Sequence, residues 1–233
     1  MVLLIGATRG TGLLIARLLE REGRTIRVLA RDAVRARGLF SSGVDVVPGD
    51  ITKKETLPGA ISGATHIVFT AGQRSGRPVR EAKVKETEYK GVLNTLAAAR
   101  DVGFSGRFMY MTSSGVGGRS IWTWMLNTYK GNTLHWRLRA EEAIRASGAD
   151  YTVIRAGVLL NRPGGKHSIV ITQEDLPLSP RYHVARADVA AVFVAALDHP
   201  RARRATFEVV WGRGQRADWH ALLDLLQPDE APA

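Results

Sequence analysis

The chain opens VLLIGATRGTGLLIARLLERE, in which a short apolar run, Val2–Ile5, passes through Gly6, Gly10 and Gly12 into an apolar-periodic segment. No other feature restricts the possible folds so strongly. A continuous apolar run reads as a strand covered on both faces, and apolar residues recurring every three to four positions read as one side of a helix. Joining the two through glycine lets backbone N–H groups approach an anion at the helix N-terminus, where the helix dipole favours negative charge. In such a loop Gly6 makes the tight exit from the strand, Gly10 admits a pyrophosphate, and Gly12 lets helix and sheet pack closely. At the first strand and first helix of a βαβ unit this predicts a dinucleotide site, the competing reading being a purely structural turn.

The same alternation continues along the chain. Strands are predicted over Val2–Ile5, Thr25–Ala30, Val44–Val47, His66–Thr70, Arg107–Thr112 and Tyr151–Arg155. Helical periodicity covers Thr11–Glu22, Ala33–Leu39, Val84–Val102, Thr133–Ser147, Arg186–His199 and Trp219–Leu226. The expected architecture is α/β, a Rossmann-like doubly wound parallel sheet with helices on both faces, formed by one domain over residues 1–233. After Arg155 the alternation loosens. "SIVIT" and "TFEVV" read as late strands of a small C-terminal substrate region, about 156–226.

Composition narrows the chemistry. The 233 residues include no cysteine, which excludes disulfides, thiolate metal sites and thiol catalysis. The six histidines are scattered without paired helical spacing, so no metal site is expected. Val2–Ile5 is too short for a secretory signal and no apolar run has bilayer-spanning length, so the expectation is a cytoplasmic protein acting away from the membrane. The net charge of +11 is spread through the chain, with RARR at 201–204 the one dense cluster. Without a nucleic-acid motif beside it, this charge reads as arginine-rich surface plus arginines facing an anionic cofactor, and no nucleic-acid partner is expected.

The glycine-x-x-x-glycine-x-glycine spacing resembles the cofactor loop of the short-chain dehydrogenase/reductase superfamily. "GDI" at 49–51, "FTAG" at 69–72, "EYKGVLNTLAAAR", "MTSSGVGG", "AEEAIRASGADYTVIRAGVL" and "RADVAAVFVAAL" are similar to successive segments of its atypical, NmrA-like branch. The resemblance extends to about residue 211. It implies cofactor contacts from Gly6, Thr8, Arg9, Gly10, Thr11 and Gly12 in the loop, and from Asp50 and Ile51 against the adenine. It also implies contacts from Ala71 and Gly72 along the sugars, and from Ala156 and Val158 beyond the sixth strand.

The second strand ends VLARD. An acidic side chain there grips the ribose of NAD, whereas arginine accommodates the 2′-phosphate of NADP. Asp32 reads as a helix N-cap. Arg31, with Arg9 as a second cation, therefore makes NADP(H) the preferred cofactor and NAD(H) the alternative; Arg31 can also be read as solvated surface.

The resemblance further implies a serine, a tyrosine and, four residues after it, a lysine. Arg137 stands where the lysine belongs, and four residues earlier stands Thr133, whose hydroxyl is far too weak an acid to replace a phenol. Ser113, Ser114 and Tyr129 are the candidate catalytic residues. Tyr129 belongs to an aromatic loop whose Trp122, Trp124 and Trp136 either roof a flat substrate or form a subunit interface, a homo-oligomer being open. His135 reads as surface or packing. Two functions follow: an oxidoreductase passing hydride to a flat or carbonyl-bearing small molecule (quinone, flavin or polyketide-like), or a non-catalytic NmrA-like redox sensor. A sugar-nucleotide epimerase is disfavoured by the short sequence after the sixth strand.

Overall fold

A computed structural model describes residues 1–73, 79–118, 120–214 and 219–230. In chain order the elements are β1 (Val2–Ile5), α1 (Gly10–Arg21), β2 (Ile26–Ala30), α2 (Ala33–Arg37), β3 (Asp45–Pro48), α3 (Pro58–Ile61) and β4 (His66–Phe69). Next comes a helix whose first turn, α4 (Glu81–Val84), passes through a wide π-turn (Lys85–Lys90) into α5 (Gly91–Asp101). There follow β5 (Arg107–Ser113), α6 (Ile121–Tyr129), α7 (Thr133–Ala146), β6 (Asp150–Ala156), β7 (Val158–Leu160), β8 (Ile169–Thr172), β9 (His183–Ala185), α8 (Arg186–Ala196), β10 (Ala205–Trp211) and α9 (His220–Leu223).

Eight strands form one sheet in the order β3-β2-β1-β4-β5-β6-β10-β8, parallel throughout except that β8 runs antiparallel to β10. The alternate residues of β1 explain its unbroken apolarity. Val2 and Leu4 pack into one core with Ile15 and Leu19 of α1 and Val189 and Phe193 of α8. Leu3 and Ile5 pack into a second core with Val92 of α5 and Ala140 and Ile144 of α7. Each fully buried Leu, Ile or Val contributes about 2 kcal/mol, so a polar residue anywhere in β1 disrupts one core or the other. The strand order reverses between β1 and β4, and in open α/β sheets that is where the chain ends diverge into a ligand crevice.

Two expectations need correction. The late strands do not form a separate region: β8 and β10 extend the main sheet, because Val209 and Phe207 continue the first core. What stands apart is the two-stranded ribbon β7–β9. The aromatic segment taken as a loop contains the helix α6, started by Ser120, whose Oγ accepts from Thr123 N at 3.1 Å.

Candidate functional site

The glycine loop leaves β1 with Gly6 at φ +92°, a conformation that favours glycine. A Cβ there would lie 2.5 Å from Ala71 N, so the ends of β1 and β4 approach to backbone contact. A Cβ on Gly12 would lie 2.4 Å from Thr70 Oγ1 and 2.5 Å from Gly6 O, so the first turn of α1 sits directly on the loop. No side chain caps α1 and its first turn holds no carboxylate, leaving its N–H groups directed at whatever occupies the loop. Thr11 Oγ1, buried in that turn, has no hydrogen-bond partner among the described residues. Open backbone donors, an orphaned hydroxyl and glycines with no room for a side chain fit a dinucleotide pyrophosphate.

The rim residues surround this loop. Thr8 and Arg9 are exposed, and Arg9 Nη2 donates to Gly72 O at 3.2 Å, tying the loop to the end of β4. Arg31 is exposed just beyond β2 and makes no ion pair with a described residue. Its neighbour Asp32 accepts from Arg35 N at 3.0 Å and caps α2. Asp50 Oδ1 accepts from the backbone N and the Oγ1 of Thr52, both at 2.9 Å. Ile51 packs against Gly91, and its carbonyl accepts from Asn94 Nδ2 at 2.8 Å.

A cleft of about 530 Å³ lies across the strand ends. Ser113, Arg137, Ala156, Val158 and Tyr129 all line it, so the structure gathers these candidates in one place. Thr112 lines it too, with a buried Oγ1 that has no partner among the described residues. Trp122, Met125, Leu126 and Tyr129 of α6 form the opposite wall, at i, i+3, i+4 and i+7 of one helical face. That spacing is the signal that reads as helix. Leu178 closes one end of the wall, where Ser120 Oγ donates to its carbonyl at 3.1 Å.

Not every candidate joins them. Ser114 is 1% exposed and does not line the cleft: its Oγ donates to Glu208, because consecutive residues leaving β5 diverge. Trp124 is 65% exposed and lies off the cleft-lining face of α6. Trp136 is held elsewhere, its Nε1 donating to Glu81 Oε1 at 3.0 Å and its ring lying under Lys85. His135 is exposed beside Trp136.

The positions of the missing tyrosine and lysine are occupied by a clasp. Arg137 Nε donates to Glu88 Oε2 at 2.8 Å and Thr133 Oγ1 donates to the same oxygen, while Gln73 N donates to Oε1 at 3.0 Å. Glu88 is 2% exposed. Burial pushes its carboxyl up, but Arg137 and the three donors more than offset this and hold it below the usual carboxylate range. Burial likewise works against the Arg137 charge, and Glu88 reverses the effect, so the guanidinium stays cationic. Glu88 was not visible as a site residue in the sequence, where it sits in an ordinary charged helix segment.

Arg186 was missed as well. It opens α8, lines the cleft, and donates from Nη1 to Leu159 O at 3.1 Å and Asn161 Oδ1 at 2.9 Å. Asp188, two residues on, accepts from Gly165 N and Trp211 Nε1, both at 2.7 Å, and so anchors the chain between β7 and β8. The signal for Arg186 was an arginine at the first position of a helix.

A glycine-loop βαβ crevice of this kind defines a nicotinamide-dinucleotide-binding α/β protein. Residues 6–200 match the family described as NAD(P)H-binding, and the chain belongs to that family. It is 28% identical to sanguinarine reductase of Eschscholzia californica, over 89% of this chain and 88% of that one. It is 29% identical to the uncharacterized sugar epimerase YhfK of Bacillus subtilis, over 91% and 94%. Among solved structures, a putative NAD-dependent epimerase/dehydratase from Bacillus halodurans superposes with a TM-score of 0.78 at 22% identity, covering 97% of this chain and 99% of that one, a likeness of fold. Among the described residues no helix is long and apolar enough to cross a membrane.

Proposed function

We propose that this protein is an NADP(H)-dependent oxidoreductase that passes hydride to a flat or carbonyl-bearing acceptor, such as a quinone, a flavin or a polyketide-like ring. The observation that carries this reading is the cleft itself: strand-end hydroxyls of Thr112 and Ser113 on one wall, and the apolar face of α6 on the other. A bound nicotinamide dinucleotide supplies the hydride. The chain orients the acceptor: Trp122 and Met125 pack against a flat ring, and Ser113 is available to hydrogen-bond an acceptor oxygen. Arg137 keeps a fixed positive charge beside the strand ends. Glu88, held ionised, does not donate a proton. The proton comes from water, bound at Ser113 or free, or from Tyr129 across the cleft. Delivery by positioning alone suits an electron-poor acceptor. The preference for NADP(H) rests on Arg31 and Arg9 beside the glycine loop, and the likeness to a sanguinarine reductase supports reduction as the reaction class.

A non-catalytic redox sensor is the second reading, and the Glu88 clasp favours it, because both dyad positions are committed to a buried carboxylate. Titration with NADPH and NADH by tryptophan fluorescence, followed by NADPH absorbance against flavin, quinone and carbonyl acceptors, separates the two. Tight binding with oxidation by any acceptor supports the reductase. Tight binding without turnover across the panel supports the sensor, and no binding of either nucleotide removes both.

A further inference from the structure

Arg186 stands beside the glycine loop without being part of it. A Cβ on Gly10 would lie 3.7 Å from its Nε and 3.9 Å from its Cδ, so the guanidinium stands over the part of the loop where an anion comes closest. Its only partners among the described residues are the two uncharged oxygens of Leu159 and Asn161. Every other arginine lining this cleft or buried in the sheet has a carboxylate: Arg137 has Glu88, Arg107 has Asp150, and Arg155 has Glu141. Burial without a counter-charge holds the Arg186 pKa below the usual arginine value. A half-buried guanidinium left without an anion among the described residues is costly, and a ligand oxyanion removes that cost.

We propose that Arg186 binds the pyrophosphate of the dinucleotide, completing from the substrate side of the fold a phosphate site that the glycine loop begins. This rests on the dinucleotide-binding reading above. One consequence follows from the second partner set. The guanidinium that meets the phosphate also holds Leu159 and Asn161, so cofactor binding stiffens β7 and the cleft wall that β7 supplies. The cofactor therefore prepares the acceptor pocket.

The test compares the dissociation constants of NADPH, NADH and reduced nicotinamide riboside, which has no phosphate, for the wild type, Arg186→Gln, Arg186→Lys and Arg31→Ala. Loss of a charge-assisted phosphate contact is worth about tenfold or more. Arg186→Gln is expected to weaken NADPH and NADH by the same factor of about ten, with Arg186→Lys recovering most of it, and to leave the riboside unchanged. Arg31→Ala is expected to weaken NADPH more than NADH. Amide exchange over 158–161 is expected to slow on NADPH binding in the wild type and not in Arg186→Gln. Dinucleotide affinities of Arg186→Gln within twofold of wild type overturn the proposal. So does an unchanged affinity accompanied by a raised KM for an anionic acceptor, which assigns the guanidinium to the substrate. Thermal melts of both variants verify folding, and the conservative lysine keeps the test valid if glutamine does not fold. Failure of the wild type to bind any dinucleotide overturns the functional reading itself and is separately visible.

Discussion

Arg137 grips the buried carboxylate of Glu88 through Nε to Oε2 at 2.8 Å and Nη2 to Oε1 at 3.4 Å, at the position where the resemblance implies a lysine. The pair has a structural cost and a structural benefit: two charges leave water, and three elements (β4's end, α5's entry and α7) are locked to one another.

Removing one partner leaves the other charge buried. Glu88→Gln is expected to destabilise the fold by about 3 kcal/mol in urea unfolding. Because the folded pKa of Glu88 lies below its ordinary 4.5, its contribution is fully present above pH 4.5 and is lost as pH falls through the lower folded value. The acid limb of the stability profile should flatten in Glu88→Gln.

The glycines divide by what surrounds them. Gly12→Ala drives a Cβ to 2.4 Å from Thr70 Oγ1, and both α1 and the loop must shift. It should abolish dinucleotide binding and cost about 2 kcal/mol or more. Gly10→Ala, at φ +55° with nothing nearer than Arg186 at 3.7 Å, should cost about 1 kcal/mol and weaken binding while leaving the fold intact. Equal losses in the two variants would contradict this.

Glu208 predicts a pH effect of the opposite sign. Its carboxyl is 1% exposed, and burial pushes its pKa up to about 7 in spite of Ser114 and Arg155, with the Asp175 carboxylate adding to the rise. The folded protein thus holds this proton more tightly than the unfolded chain does. Its contribution is greatest below about pH 4.5 and falls as pH rises to about 7. Glu208→Gln should remove that fall and raise the melting temperature at pH 8 relative to wild type. A variant less stable at pH 8 would mean that Ser114 and Arg155 need the charge.

On the cleft wall, Trp122→Ala removes ring contact on the acceptor side. It should raise KM for a quinone about tenfold while the dissociation constant of NADPH, set at the glycine loop and rim, stays within twofold.

The alternating strands and helices, the parallel sheet they imply and the glycine loop were all legible from local patterns. Period and spacing report how each segment meets a core, and β1 with α1 satisfy that relation within twenty-one residues. The candidate cleft residues Ser113, Arg137, Ala156 and Val158 were legible through the resemblance, and Tyr129 through its place in the aromatic segment. Its residue-by-residue correspondence could not say which of two adjacent serines turns inward. Ser113 and Ser114 differ only in the direction the chain takes as it leaves the sheet.

The Glu88 clasp depends on residues 45 and 49 positions apart, and Arg186 meets Gly10 only because α8 packs beside α1. Such contacts follow from which elements share a sheet edge. Local periodicity encodes how a residue faces the core. It does not encode which distant charge is brought beside it, and at this crevice the pairing of charges decides what chemistry remains.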